Sequence, residues 1–167
     1  MHPMNHPAFV QFLTYFNGNQ DFFECHEVLE DYWKAIAERE RKHPLVGYIQ
    51  LATGLYHWRR GNSRGAKTLL VRSHALLHAA RTTPFAEKID YDDLLHQIEQ
   101  TRLAITEGAR FETFSIDITD RLLKEIVQNE IEQLPVIDPD YLLNKHCLRD
   151  RTEVIEAREL ALATKQR

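Results

Sequence analysis

His26 and Glu30 stand one helical turn apart, and His57 follows in the next apolar segment. An imidazole and a carboxylate at i,i+4 lie close enough to share a hydrogen bond or a ligand. Together with His57 they would suit zinc, iron or manganese, and an open coordination position would support hydrolysis or oxygen chemistry. Glu27 and Gln50 lie near them, and Asn62 completes the set of polar candidates. The run His26-Glu27-Val28-Leu29-Glu30 is not H-E-x-x-H, because Glu30 stands where that motif has its second histidine, so a metalloprotease reading does not transfer. Without a metal, Glu30 as general base and His57 as general acid are chemically competent, but the sequence shows no nucleophile or substrate pocket to serve them. The structural alternative is a buried hydrogen-bond network in which Glu30 or Gln50 orients the two histidines and locks two helices in register. Buried polar groups usually exist to satisfy one another, which favours the network.

Two predicted helices must position these groups. On a wheel of about 3.6 residues per turn, Phe22, His26, Leu29, Trp33 and Ile36 share a stripe flanked by Phe23 and Glu30, so His26 falls inside an apolar face. Glu27, Asp31 and Lys34 point away from it. The second helix is apolar almost all round through Leu45, Val46, Tyr48, Ile49, Leu51, Leu55, Tyr56 and Trp58, as expected of a buried element. Its exceptions, Gln50, Thr53, Gly54 and His57, fall on one side, and the reading sets that side against the polar stripe of the first helix. Trp33 and Trp58 read as core, and Asn62 as a helix cap.

Around this hairpin the chain reads as all-α, with about seven helices. Pro7–Phe16 forms the first and ends at Asn17-Gly18-Asn19, a turn signal. Asp21 caps the second, which is predicted to run to about Arg41; Pro44 opens the third and Gly61-Asn62 stops it. A fourth spans Arg64–Arg81, a fifth Tyr91–Glu107, and Gly108 ends the latter. Residues 110–118 read as a packed linker, followed by helices over Asp120–Glu132 and Asp140 to about Ala163, with two prolines between them. The organisation expected is a core of residues 1–110 and a C-terminal extension, 111–167, packed on it or at a homodimer interface.

The composition, 43% hydrophobic and 28% charged, is that of an ordinary globular chain. No apolar run approaches the roughly 20 residues that cross a bilayer, and the N-terminus lacks a signal-peptide pattern, which predicts a cytosolic protein with no membrane partner. Cys25 and Cys147 have no C-x-x-C partner and read as reduced packing residues. The net charge of -4 is unevenly spread. Between Arg41 and Ala86 stand eight basic residues and no acid, while the rest carries 13 basic against 25 acidic residues. Arg59, Arg60, Arg64 and Lys67 in this stretch mark a basic surface that could receive an acidic protein partner, unless the bundle's own acidic helices neutralise it. Gly-rich phosphate loops, RNA-binding aromatic signatures and a helix-turn-helix are all missing, so nucleic acid is not the expected ligand. His74 and His78 also stand at i,i+4, but Arg72 and Arg81 beside them would repel a cation.

The blocks FFECHEVLEDYW, GYIQLATGLYH and GNSRGAKTLL, in this order and spacing, resemble the bacterial and archaeal DUF309 family over roughly residues 12–80. That resemblance implies a helical fold and no particular reaction. It singles out Phe23, His26, Glu27, Glu30, Trp33, Gln50, His57, Asn62, Gly65 and Ala66. A second resemblance, to tetratricopeptide repeats, rests on Gly54, Gly61 and Ala66 at small-residue positions where paired helices approach closely, without a second copy at a 34-residue period. It implies the geometry of one such hairpin rather than an array. The function expected is a binding or scaffold module with a small polar pocket, and the competing reading is a metal-dependent hydrolase built on His26, Glu30 and His57.

Overall fold

A computed structural model describes residues 1–145 of the chain. The fold is all-α: α1 (Pro7–Asn17), α2 (Phe22–Ala37), α3 (Pro44–Arg59), α4 (Ser63–Ala79), α5 (Tyr91–Thr106) and α6 (Arg121–Glu132), with 3-10 turns at Pro3–Asn5 and Pro84–Ala86. Among the described residues the only β-type pairing is an isolated antiparallel bridge between Ile89 and Ile118. The chain divides into two compact units, Met1–Val136 and Ile137–Arg167. Residues 139–145 of the second unit are helical, and the remainder of the helix expected from Asp140 to Ala163 lies outside the described residues, as does Cys147.

Side-chain caps set most helix starts. Asp21, Asn62, Asp90 and Asp120 each accept, through Oδ1, the backbone N–H three residues on, at 2.8–3.1 Å. A second device repeats at His2-Pro3, His6-Pro7 and His43-Pro44. In each, Nδ1 accepts the N–H two residues later, at 3.1–3.2 Å, while the proline occupies the first helical position, where a missing N–H costs nothing. The second helix stops at Ala37 rather than near Arg41, because Glu38 to Lys42 are all exposed and offer no apolar face to bury.

α3 is the central element, with Leu45, Tyr48, Leu51, Ala52, Leu55, Tyr56 and Trp58 all buried. Phe9, Phe12, Phe16 and Phe22 meet edge-to-face or tilted at centroid distances of 5.3–5.6 Å, and Tyr48 closes on Phe9 at 5.1 Å. Its hydroxyl donates to Phe85 O at 2.7 Å, so the buried phenol is satisfied.

The small residues of α3 face α4. A Cβ on Gly47 would lie 2.8 Å from the Leu77 side chain, and one on Gly54 would lie 3.2 Å from Leu70. Ser73 Oγ donates to Gly47 O at 2.7 Å across the same contact. The expected confrontation of two polar stripes therefore does not form: Gly54 turns toward α4, and where α2 meets α3 the contact includes Phe23 on Tyr56, at 5.9 Å.

Residues 110–118 are a packed segment. Phe111 lies on Trp58 at 5.1 Å, Phe114 lies on Phe16 at 5.5 Å, and the Asn17 side chain pairs with both the N–H and the C=O of Ile116. α6 packs on α1 through Leu123 and Val127. The first compact unit runs to Val136, and the apolar residues of this segment pack on Phe16 of α1, Phe22 of α2 and Trp58 of α3.

Candidate functional site

The polar candidates separate into three places. On α2, His26 Nε2 lies 3.1 Å from Glu30 Oε2 and Nδ1 lies 3.2 Å from Glu27 Oε1, while Lys34 Nζ sits 2.6 Å from Glu30 Oε1. Ligand atoms of His26, Glu27 and Glu30 all fall within 4.8 Å of one another. The hydrogen bond from Lys34, with the attraction of His26 behind it, holds the Glu30 carboxyl below its ordinary range. The imidazole is not sealed in the core: its side chain is 30% exposed, and Glu27, expected to point away, closes on it.

His57 is absent from this cluster. It sits at the corner between α3 and α4, where the Asn62 side-chain amide donates to its Nδ1 at 3.3 Å while Asn62 Oδ1 caps α4 on Gly65 N. Burial, followed by the Arg60 charge, pushes the His57 imidazole below its usual value, which keeps it a neutral acceptor for Asn62. The three-residue centre of His26, Glu30 and His57 therefore does not assemble. Gln50 joins neither group; its Oε1 is buried and accepts no hydrogen bond from a described residue.

The basic candidates also divide. Arg59 is half-buried at the edge of the core: Nη1 donates to Gln20 O at 2.8 Å and the guanidinium lies 4.9 Å from the centre of the Phe22 ring, with Tyr56 and Phe111 close by. Burial lowers its affinity for the proton, and the nearby Asp21 opposes that effect. Arg60 is exposed, with its guanidinium 5.6 Å over the Tyr56 ring. Arg64 and Lys67 instead line an open groove of about 550 Å³ between α4 and the end of α5, together with Ser63, Thr68, Val71, Arg72, Ile105 and Thr106. Among the described residues, Arg64, Lys67 and Arg72 form no ion pair, whereas Lys34, Lys88, Arg102 and Arg121 all do. No acidic residue lines the groove, Val71 in it is 51% exposed, and the amino end of α4 adds partial positive charge.

Sequence reasoning found Arg64 and Lys67 but missed Val71, Ile105 and Thr106. Val71 carried a signal, an apolar residue one turn from Lys67 on the charged side of α4. Ile105 and Thr106 come from a helix remote in sequence and could be placed only by the fold. His74 and His78 stack at 6.1 Å along α4, with Arg81 Nη1 near His78.

Fold and site together define a small all-α bundle built on a helical hairpin, with a polar cluster on α2 and a basic groove beside α4. Residues 9–69 match the family model described as Domain of unknown function (DUF309). The chain is 36% identical over 159 residues to the uncharacterised protein YpuF of Bacillus subtilis (strain 168), a match covering 91% of each. It belongs to the DUF309 family. No solved structure matches it significantly.

Proposed function

We propose that this protein is a cytosolic binding module that receives an acidic, amphipathic helix of a protein partner in the groove between α4 and α5. The observation that carries the reading is the set of three basic side chains, Arg64, Lys67 and Arg72, unpaired among the described residues and gathered around the apolar Val71. Cations left without partners on a folded surface create a local positive potential that steers an anionic partner and fixes its register. An apolar floor between two helices adds the burial that charge alone does not supply, which is the usual division of labour when a helix docks in a groove. The absence of a membrane-crossing helix among the described residues and the buried free thiol of Cys25 are compatible with a cytosolic setting.

The test is fluorescence anisotropy with a labelled synthetic helix carrying glutamate on one face and leucine on the other. Saturable binding that weakens with salt, and falls at least tenfold when Arg64, Lys67 and Arg72 are all changed to Glu, is the expected result. Equal affinity in wild type and triple variant overturns it. Tighter capture of single-stranded RNA, or self-association through this face, would redirect the reading to those occupants.

A further inference from the structure

At one end of the bundle three histidines do what aspartate and asparagine do elsewhere, and they do it with a group that acid switches off. His2, His6 and His43 each accept a main-chain N–H through Nδ1, from Met4, Ala8 and Leu45 respectively, at 3.1–3.2 Å. Because a backbone N–H can only donate, each Nδ1 holds a lone pair and the neutral ring carries its hydrogen on Nε2. At His2 that hydrogen has an acceptor, Glu87 Oε2, 2.8 Å away. A second proton must therefore go to Nδ1, and the cap is then lost.

The three caps meet in space. The turn Pro3–Asn5, flanked by His2 and His6, lies against the turn Pro84–Ala86, and the His43 ring stands edge-on to Phe85 at 5.2 Å. Lys88 Nζ closes the same junction by donating to Asn5 Oδ1 at 3.0 Å. Met4, inside the turn, is fully buried. We propose that His2, His6 and His43 form an acid-released clasp: protonation of their rings frees the Pro3–Asn5 turn and the first turns of α1 and α3, and uncovers Met4. The groups facing each ring set its response. His2 has Glu87 on Nε2 and Asp120, itself paired with Lys88, within reach of its charge. There the proton exchanges the cap for a stronger ion pair, so the ring stays anchored while the turn opens. His6 is stacked on Tyr32 at 3.9 Å, and the Tyr32 hydroxyl donates to Pro3 O, which ties this ring to the same turn. At His43 burial resists the proton and Glu40 favours it.

The experiment is an NMR titration of the full-length protein from pH 7.5 to 5 that follows the backbone amides, the histidine rings and the Met4 methyl group together. The Met4, Ala8 and Leu45 amides should shift in step with the rings of His2, His6 and His43. Their protection from hydrogen exchange, corrected for the intrinsic effect of pH, should fall about tenfold, as the loss of a cap predicts. The Met4 methyl signal should move toward its solvent-exposed position and return when the pH is restored. The Glu24 and Asp93 amides, capped by aspartate, should stay protected over the same range. Changing all three histidines to asparagine keeps a capping oxygen without a titrating group, so this variant should hold the three amides at pH 5. Met4, Ala8 and Leu45 amides unmoved at pH 5, or equal loosening in the triple asparagine variant, would overturn the proposal. None of these outcomes depends on the α4 groove.

Discussion

α4 presents one face to α3 and the other to the groove, and the two are made differently. The inner face, Ala66, Leu70, Ser73 and Leu77, is buried against a helix that offers Gly47 and Gly54, so backbone and side chains interlock at van der Waals distance. The outer face, Arg64, Lys67, Val71 and Arg72, lines the open groove beside α5 and, among the described residues, has no ionic partner. Residues one position or one turn apart on the same helix therefore serve folding or recognition according to the side they leave. Two arginines of the basic stretch teach the same lesson: Arg59 is half-buried against Phe22, whereas Arg64 opens onto the groove.

That contrast can be broken by substitution. Leu70→Ala, which empties a fully buried position, should cost about 3 kcal/mol in urea unfolding. Gly47→Ala gains helix propensity but drives a methyl group to 2.8 Å from Leu77, and a net loss of about 1 kcal/mol is expected from overpacking less propensity. Ser73→Ala leaves the buried Gly47 carbonyl without its donor and should cost about 1 kcal/mol. On the outer face, Arg64→Ala, Lys67→Ala and Arg72→Ala should each change stability by no more than about 0.5 kcal/mol. A large loss there would show that the groove side is structural after all.

Acid should loosen the fold through groups outside both faces. His43 and His57 are pushed below the usual histidine value of 6.5, in both cases chiefly by burial. The unfolded chain therefore takes up these protons first, and stability falls as pH drops below about 6.5. Glu30, held low by Lys34, contributes stability that is present above its ordinary value and lost as the pH falls through its depressed one. Urea midpoints measured from pH 7.5 down to 4 should decline continuously, and His43→Asn, which retains a capping oxygen, should flatten the upper part of that decline.

Much of this architecture was legible in the sequence. Period located α1 to α6, and Asp21 and Asn62 were legible as caps because each acts only three residues away, whereas the same role of Asp90 and Asp120 emerged from the structure. The family blocks, too, marked residues that lie in one hairpin. What escaped was orientation. A wheel could show that Gln50, Gly54 and His57 share a side of α3, but not that this helix packs most closely on α4, which drew Gly54 away from His26. Nor could it separate Arg59 from Arg64, since Phe22 and Phe111, which surround the former, come from distant parts of the chain. The repeated His-Pro step was visible in the sequence and went unread because histidine is an uncommon cap.

The central claim is most directly tested by backbone NMR of the wild-type protein titrated with the synthetic acidic amphipathic helix. The account predicts shifts concentrated at Arg64, Lys67, Val71, Arg72, Ile105 and Thr106, which disappear in the triple Glu variant while the spectrum of its core stays unchanged. Shifts centred on another surface, or persisting in that variant, would contradict it.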